Sequence, residues 1–411
     1  MTTNDVAPGA APLAGIRVLD VAHQYSGAFA ASLLRDLGAE VIAVEHPSGS
    51  PIRTMLPKRG RDSLWWLNIQ REKRNVTLKL STPEGRELFI ELAKQSDVII
   101  ENFRPGTLER WGIGPDELTA EGVNAVMLRI SGFGQTGPWK GRPGFGTVAE
   151  ALSGFAHLNG FPDTPPALPS VTLADGVAGI FGAFGALAGV IGAMRNGLEG
   201  ITVVDTALVE TLFKIIPNQV TAYEQLGITM RRYGNSLLDK GVLRDLFSTK
   251  DGRYVAIGGG IGIPTISRTL DAVDAPELAA RVRAGVLSEE QPVVAAFLHE
   301  AHASVLDWVT QRTFDEVSEV FERAGLVYAP IFTVEDIVNE PHFREREDII
   351  SIAAEDGGRM DVAGIVPKLS TNTVVTERAG ASIGAYNQEV FGELLGLDAA
   401  DLERLSANGV I

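Results

Sequence analysis

Residues 176–194 contain no charged side chain, and this stretch limits the folds open to the chain more than any other. A helix of this length could cross a bilayer. However, the stretch consists mainly of glycine and alanine, is solitary, and lacks the aromatic belt of a membrane span. Its small residues lie three or four positions apart, which lets another backbone approach closely; they include Gly182, Gly185, Gly189 and Gly192. We therefore predict a helix buried in the core or at a subunit interface.

Strand and helix patterns alternate over roughly the first half of the chain. The strand patterns lie at residues 16–21, 41–45, 75–80, 98–100, 125–130 and 202–205, with helix patterns at 28–36 and 83–95. This alternation is typical of an α/β fold with a mostly parallel sheet and helices on both faces. We predict a Rossmann-like large domain beginning at residues 1–225, a smaller α+β domain at 226–330, and a connector at 331–411 that returns to the large domain.

Composition excludes several classes of function. The 411 residues carry a net charge of −16, which argues against nucleic acid or an anionic membrane as a partner, since both need a basic surface. The absence of cysteine excludes disulfides, a thiol nucleophile and cysteine-based metal centres, and it fits a cytoplasmic protein. The six histidines show no metal-binding spacing, and residues 1–13 do not have the pattern of a signal peptide. We expect neither a metal site nor a permanently bound cofactor.

An acidic residue, Asp175, lies between small residues in the segment TLADGVAG at 172–179, at the start of the charge-free stretch. Backbone N–H groups and the helix dipole favour an anion at a helix N-terminus. An ionised and sterically open carboxylate is also what nucleophilic catalysis on an acyl group requires. A helix cap is the more common role for an isolated aspartate in such a position. The neighbouring motifs therefore decide between the two interpretations.

Two glycine-rich segments follow predicted strands. GFGQTG at 132–137 has the spacing of a dinucleotide-binding turn, but Pro138 and Pro143 follow where a helix should begin. The acidic residue expected about 20 positions later is also missing, so we predict a loop bordering a site and no NAD. The second segment, GGGIG at 258–262, fits a tight turn and a mobile lid over a reacting carbonyl equally well.

Positive charge is concentrated in a few places of this acidic chain. ENFRPG at 101–106 follows a buried strand, where α/β proteins bind ligands, and Arg110 and the pair Lys73–Arg74 add further charge. Phosphates of a nucleotide-like ligand would explain these residues, and so would a solvated charged surface. A second basic and aromatic cluster fits a substrate carboxylate or a 3′-phosphate; it comprises Lys58, Arg59, Arg61, Trp65 and Trp66.

Together these motifs resemble the class III CoA-transferase family, which includes formyl-CoA:oxalate CoA-transferase and has α-methylacyl-CoA racemase as a relative. The resemblance extends over almost the whole chain, and the order of the motifs makes it specific. The matching segments are LAGIRVLD at 13–20, LGAEVI at 37–42, KRNVTL at 73–78, ENFRPG at 101–106, SGFGQTGP at 131–138, RPGF at 142–145 and ADGVAG at 174–179.

The resemblance implies a chemistry and a set of residues. Asp175 would attack the thioester of an acyl-CoA, giving a mixed anhydride and then an aspartyl-CoA thioester. Gly259 and Gly260, in the loop of the small domain, would cover these intermediates. The family also implies an interlocked dimer. The positions that match CoA contacts in the family are His23, Tyr25, Ser26, His46, Lys73, Arg74, Asn102, Phe103, Arg104 and Arg110.

The resemblance also bears on the acid. Residues 142–150 and 159–163 look most like members that use succinyl-CoA and a second dicarboxylate, such as malate, mesaconate or a benzylsuccinate analogue. Arg59 and Arg61 are compatible with a second carboxylate. Phe145, together with the two tryptophans, would suit a hydrophobic acid equally well.

Two alternatives remain at this point. Phe145 stands where the racemase branch has a histidine that acts as acid and base, and because phenylalanine cannot titrate, a racemase is disfavoured. A catalytically silent subunit of a hetero-oligomer is the second alternative. The presence of Asp175 and of the glycine loop argues against it.

Overall fold

The structure is a computed structural model that describes residues 11–236, 243–258, 262–371 and 373–411. Its described residues divide into two compact units. Unit 1 lies within Met1–Phe155, Pro169–Pro217 and Pro341–Ile411, and unit 2 comprises Ala156–Leu168 and Asn218–Glu340. The predicted domain boundaries remain predictions, because compactness does not show that either unit folds by itself.

The strands in chain order are β1 Arg17–Asp20, β2 Glu40–Glu45, β3 Lys58–Arg59, β4 Asp62–Ser63, β5 Arg74–Thr77, β6 Val98–Glu101, β7 Ala125–Ser131, β8 Ile201–Ala207, β9 Arg244–Ser248, β10 Tyr254–Gly258, β11 Tyr328–Pro330, β12 Ile349–Ala353 and β13 Arg359–Ala363. The helices are α1 Tyr25–Asp36, α2 Leu64–Ile69, α3 Pro83–Lys94, α4 Thr107–Arg110, α5 Pro115–Ala120, α6 Gly146–Leu152, α7 Phe155–Leu158, α8 Leu173–Asn196, α9 Leu208–Ile215, α10 Asn218–Leu226, α11 Ile263–Ala272, α12 Pro276–Arg283, α13 Gln291–Thr310, α14 Phe314–Arg323, α15 Val334–Asn339, α16 Pro341–Glu345, α17 Asn387–Leu395 and α18 Ala399–Ala407.

Unit 1 is built on a six-stranded sheet with the order β5-β2-β1-β6-β7-β8, in which every neighbouring pair is parallel. Counted along the chain, this order is 3-2-1-4-5-6, the doubly wound arrangement of a Rossmann fold. β6 and β7 are buried along their whole length, as expected for strands with helices on both faces. The predicted α/β class and Rossmann-like parallel sheet are therefore confirmed. The interlocked dimer remains a prediction.

The two faces of the sheet have different helical layers. On one face, Phe89 of α3 and Phe391 of α17 pack against Leu19 and Ile42. On the other face, α1 and α8 pack together over β6 and β7. Each layer buries apolar side chains that the strands present alternately to either side, which gives a hydrophobic core on each face of the sheet.

The glycines of α8 let this helix lie directly on the sheet. A Cβ at Gly189 would come within 2.7 Å of Val126 of β7, and one at Gly182 would come within 3.0 Å of Leu128. The opposite side of α8 exposes Ile180 and Phe184. Among the described helices, α8 is the one whose length and apolar composition would also suit a membrane span. The sequence prediction of a packed helix thus holds for one face of α8.

Unit 2 has an α+β arrangement. Its strands form an antiparallel sheet in the order β11-β10-β9, and helices α11 to α14 surround a separate core. Phe247 and Val255 of the sheet contribute to this core, as do Phe297 and Phe321 of the helices.

A buried ion pair joins three elements of unit 1. Lys73 precedes β5, and its fully buried Nζ donates to Oδ2 of Asp20 at 2.9 Å and to the carbonyl oxygen of Ala28 at 2.8 Å. The other carboxylate oxygen of Asp20 accepts from the backbone N–H of Ala22 at 3.1 Å. Burial lowers the pKa of Lys73, and the facing carboxylate opposes that shift. The pair therefore holds the end of β1 against α1.

Replacing Lys73 by methionine is expected to lower the free energy of unfolding by about 3–5 kcal/mol, because the buried charge of Asp20 loses its partner. Urea unfolding followed by circular dichroism measures the change. Lys94→Met is the control, since Lys94 pairs with Glu91 at the surface and should contribute less than about 1 kcal/mol. Equal losses for the two variants would contradict the structural role of Lys73.

Candidate active site

The loops that follow β1, β6 and β7 meet at the carboxyl edge of the sheet. β1 and β6 are the neighbours between which the strand order reverses, and ligands of open α/β sheets bind in the crevice at such a point. A cavity of about 270 Å³ lies there, and we call it the nucleophile cavity. The residues that line it include His23, Ser26, Asn102, Phe103, Arg104, Lys140, Arg142, Phe145 and Asp175.

Asn102 joins two of these loops with one side chain. Its Oδ1 accepts from the backbone N–H of His23 at 3.0 Å, and its Nδ2 donates to the carbonyl oxygen of Gln24 at 3.1 Å. A longer bond of 3.4 Å reaches Oγ of Ser26. Because Asn102 directly follows β6 and the other three residues follow β1, this amide fixes the shape of the cavity wall at the switch point.

An aromatic stack separates the nucleophile cavity from a second one. The ring of His23 stacks on Phe103 with centroids 4.6 Å apart, and Phe103 contacts the edge of Trp111. Burial lowers the pKa of His23, so its imidazole is neutral at pH 7. The second cavity, of about 300 Å³, shares His23 and Phe103 with the first; we call it the apolar cavity, and Val44, His46, Leu78, Leu80 and Trp111 also line it.

Asp175 occupies the first turn of α8, and the cap position of that helix belongs to Thr172. The alternative interpretation of Asp175 as the helix cap is therefore wrong. Burial raises the pKa of Asp175 to about 6, and the negative charge of Glu150 adds to the increase. At pH 7 most of the carboxylate is consequently ionised, in surroundings that stabilise its charge poorly.

Gly146, the first residue of α6, leaves room for the Asp175 carboxylate. A Cβ at this position would come within 2.4 Å of Oδ2 of Asp175, so no larger residue fits without moving the carboxylate. Phe145, the preceding residue, lines the same cavity and is 63% exposed. The nucleophile cavity thus combines an accessible apolar wall with a carboxylate that has no ion-pair partner among the described residues.

Three cations line the nucleophile cavity without an ion-pair partner in the described part of the chain: Arg104, Lys140 and Arg142. The guanidinium of Arg142 lies over the rings of Trp139 and Phe133, at 4.9 and 5.6 Å from their centroids. In a chain with a net charge of −16, such unpaired cations beside a cavity favour an anionic ligand.

Most of the predicted CoA contacts come together around the two cavities. Arg110 donates to Oγ1 of Thr107, which itself lines the nucleophile cavity. Tyr25 starts α1 and lines a different cavity of unit 1. The predicted contacts that line the nucleophile or the apolar cavity are His23, Ser26, His46, Asn102, Phe103 and Arg104.

Two predicted CoA contacts do not reach the cavities. Lys73 is fully buried in its pair with Asp20. Arg74 begins β5 and therefore lies near the amino edge of the parallel sheet, where it pairs with Glu40 and Glu393. Carboxylates of the chain itself pair with both charges, and the assignment of these two residues to CoA stays a prediction.

The predicted acid-binding residues lie in different places, and they do not all line the nucleophile cavity. Arg59 pairs with Asp356 at 2.9 Å, and Arg61 is exposed; neither lines the nucleophile cavity. Phe145 does line it. The predicted residues Gly259 and Gly260 lie outside the described residues.

Sequence reasoning missed four residues at the site: Gly146, Glu150, Lys140 and Arg142. Arg142 is the first residue of the RPGF motif, and Lys140 lies two positions before it. Gly146 follows the motif directly. Their position beside a recognised motif was the available signal. The contact between Gly146 and Asp175 depends on how α6 packs on α8, which no local pattern encodes.

Replacing Glu150 by glutamine is expected to lower the pKa of Asp175, because a like charge is removed while burial continues to hold the value above 3.8. The ¹³Cγ shift of aspartate-labelled protein, assigned with Asp175→Asn, follows the titration. Glu87→Gln, at an exposed position of α3, is the control and should leave the curve unchanged. An unchanged titration in Glu150→Gln would show that burial alone sets the pKa.

Comparison with known proteins identifies the family. Residues 13–385 match the model of CoA-transferase family III. The chain is 35% identical to succinyl-CoA–D-citramalate CoA-transferase of Chloroflexus aurantiacus, over 97% of this chain and 98% of that protein. It is 37% identical to the beta subunit of succinyl-CoA–L-malate CoA-transferase of the same organism, with the same two shares covered. A CaiB/BaiF family protein from Brucella suis has a similar structure, with a TM-score of 0.79 and 26% identity over 94% of this chain and all of that one. The chain therefore belongs to CoA-transferase family III.

Proposed function

We propose that this CoA-transferase moves CoA from succinyl-CoA to a carboxylic acid, either a dicarboxylate or a substituted succinate, with Asp175 as the nucleophile. The observation that carries the proposal is the ionisable, half-buried carboxylate of Asp175, in a cavity lined by cations that have no ion-pair partner where the structure describes the chain. The relatives support the donor, because the D-citramalate, L-malate and glutarate enzymes are all named for succinyl-CoA.

The first half of the reaction transfers CoA to the enzyme. An oxygen of the Asp175 carboxylate attacks the thioester carbonyl, the C–S bond breaks, and CoA thiolate leaves a succinyl-aspartyl anhydride behind. The thiolate then attacks the aspartyl carbonyl of this anhydride. An aspartyl-CoA thioester forms and succinate departs.

The second half uses the same bonds in reverse order. A carboxylate oxygen of the acceptor attacks the aspartyl thioester and expels CoA thiolate, which gives a mixed anhydride. The thiolate attacks the acceptor's acyl carbonyl, so the new acyl-CoA leaves and the Asp175 carboxylate is regenerated. Since an anhydride hydrolyses readily, the site must exclude water during both halves.

Asp175 needs to be ionised for this chemistry. A carboxylate whose pKa is about 6 is largely deprotonated at neutral pH, and it is more nucleophilic than one with an ordinary pKa. The nearby Phe145 has no proton to exchange, which further disfavours a racemase, because proton transfer at C2 needs a second acid–base group.

The remaining groups around the cavities suit the two anionic substrates. We assign phosphates of CoA or a second carboxylate of the acid to Arg104, Lys140 and Arg142, whose charges have no partner in the described part of the chain. The apolar cavity beside His46 and Phe103 would take the uncharged parts of CoA.

We propose a cytoplasmic homodimer as the working form. The exposed apolar residues of α8, Ile180, Phe184, Ile191 and Met194, support a subunit interface. A hetero-oligomer is the second candidate, because relatives include separate alpha and beta subunits of an L-malate CoA-transferase.

Incubation with succinyl-CoA followed by hydroxylamine should leave a modification on Asp175 that intact-protein and peptide mass spectrometry detect. Asp175→Ala should not be modified, whereas Asp163→Ala, at an exposed position, should behave as the wild type.

Light scattering of the same samples gives the oligomeric state, and a monomer would contradict the dimer.

Absence of any modification in the wild type, with succinyl-CoA and with other acyl-CoAs, would contradict the nucleophile assignment. Restoration of the modification by a co-purifying homologous chain would instead support the hetero-oligomer.

Gly146→Ala is expected to lower kcat by about 100-fold, because the new methyl group displaces the attacking carboxylate by roughly 1 Å. Gly141→Ala is the matched control, since a Cβ at Gly141 meets open space and the loop is exposed. Steady-state rates with succinyl-CoA measure both variants. Similar rates for the two variants would contradict the expectation that a methyl group at position 146 displaces the Asp175 carboxylate.

A further inference from the structure

Arg129 of β7 forms a buried bridge between two carboxylates that belong to different elements. Its Nε donates to Oε1 of Glu101, at the end of β6, at 2.7 Å, and its Nη1 donates to Oε1 of Glu109, in α4, at 2.8 Å. The side chains of Arg129 and Glu101 are only 6% and 1% exposed. We propose that this bridge positions the loop at 102–106 and helix α4 for the binding of acyl-CoA, with Arg129 as the positioning residue; this inference rests on the proposed function.

The pairing of the strands brings Arg129 and Glu101 together. β6 and β7 are parallel neighbours, and the two residues face each other in their register. Ile99 and Met127, two positions earlier in each strand, belong to the core on the α3 side of the sheet. Because side chains two positions apart lie on the same face of a strand, both charged side chains extend from that face. They therefore meet at the carboxyl end of β6, next to the loop that follows it.

The second carboxylate oxygen of Glu101 acts on this loop directly. Oε2 accepts from the backbone N–H of Phe103 at 2.6 Å. This bond holds Phe103 where its ring stacks on His23 and lines both cavities. Arg104, the next residue, lines the nucleophile cavity as well. Through Glu101, the bridge therefore reaches residues that line the proposed CoA site.

The charge of Glu101 depends on Arg129. Burial raises the pKa of Glu101 to about 7, the guanidinium of Arg129 is the strongest opposing influence, and the charge of Glu109 adds to the rise. An ionised carboxylate accepts hydrogen bonds at both oxygens, whereas a protonated one carries a donor on one of them. The bond from Glu101 to the Phe103 backbone is therefore secured by the positive charge of Arg129.

Helix α4 depends on the bridge for its position. It consists of only four residues, and a helix of one turn is not stable by itself. Leu108 anchors it in the core, and Glu109 anchors it to Arg129. Thr107, its first residue, lines the nucleophile cavity. A shift of α4 would therefore move part of the cavity wall.

The bridge acts on the cavity wall and not on the nucleophile. Among the described residues, Arg129, Glu101 and Glu109 are not part of the lining of the nucleophile cavity. The pKa of Asp175 is set by burial and by Glu150. Weakening the bridge should therefore impair the binding of acyl-CoA and leave the chemical steps nearly unchanged. A change of that kind raises KM for succinyl-CoA without a similar fall in kcat.

Arg129→Lys tests the proposal. Lysine keeps a positive charge beside Glu101, but its single ammonium cannot reproduce the fixed fork that binds Glu101 and Glu109 together. Rates are measured with succinyl-CoA as donor and isotopically labelled succinate as acceptor. We expect KM for succinyl-CoA to rise about tenfold, the effect of losing one hydrogen bond between charged groups, and kcat to stay within about twofold. Calorimetric titration with CoA alone should show a similar rise in Kd.

Arg17→Lys is the matched control. Arg17 also joins two elements, since its Nε donates to Glu40 of β2 at 2.8 Å and its Nη1 donates to the carbonyl oxygen of Gln95, after α3, at 2.9 Å. It begins β1 and therefore lies at the amino edge of the sheet, away from both cavities. This variant should keep the KM of the wild type. Partial unfolding removes active protein and lowers the apparent kcat, so it does not mimic the result expected for Arg129→Lys.

Glu109→Gln keeps the proposal testable if Arg129→Lys does not fold. The Glu109 side chain is 37% exposed, and its replacement removes one arm of the bridge while Arg129 keeps Glu101 as its partner. KM for succinyl-CoA should rise at least about threefold, again with little change in kcat. An unchanged KM and Kd in both variants, or a fall in kcat at unchanged KM, would overturn the positioning role of the bridge.

The proposed function can fail separately from this inference. Without exchange of labelled succinate and without modification of Asp175 in the wild type, the transfer chemistry itself is wrong. The titration with CoA then still tests the bridge: weaker binding in Arg129→Lys supports it, and equal or absent binding overturns it. With both exchange and modification present and an unchanged KM in Arg129→Lys, the chemistry stands and the bridge has only a structural role.

Discussion

The close packing of α8 on β7 is the contact on which the site depends. Gly182 and Gly189 bring the helix within reach of strand side chains that any larger residue would push away. Gly179 allows a similar approach to Phe29 of α1. Because α8 is a rigid cylinder held along its length, its first turn is fixed relative to the edge of the sheet, and Asp175 lies in that turn. The position of the carboxylate therefore follows from packing several turns away from it.

The electrostatics of unit 1 separate structural from functional charge. Structural cations such as Lys73 and Arg71 have buried carboxylate partners within 3 Å. The cations beside Asp175 have none in the described part of the chain, and Asp175 itself is destabilised as an anion by burial and by Glu150. In the proposed function, an anionic substrate would meet the cations that have no partner in the described residues, and Asp175 would be the reacting carboxylate; groups left uncompensated by a fold are common at active sites.

Sequence patterns predicted the elements that depend on local order. The alternation of strands and helices gave the parallel sheet, and the motif around Asp175 marked the start of α8. The ion-pair partners of Lys73 and Arg74 could not be predicted, because a charge in a sequence does not reveal its partner, and Asp20 lies 53 residues from Lys73. Gly146 escaped prediction for the same reason: its close approach to Asp175 forms only when α6 packs near α8.

The Lys73–Asp20 pair also constrains how such a sequence can change over generations. Loss of either charge alone leaves the other charge buried without its partner. Replacement of both residues by apolar ones gives a pair that can pack. A single substitution at either position therefore gives a less stable protein, and a compensating second substitution at the other position restores the stability of the fold. Homologous chains should accordingly inherit these two positions as a unit, and an alignment in which they vary independently would contradict this expectation.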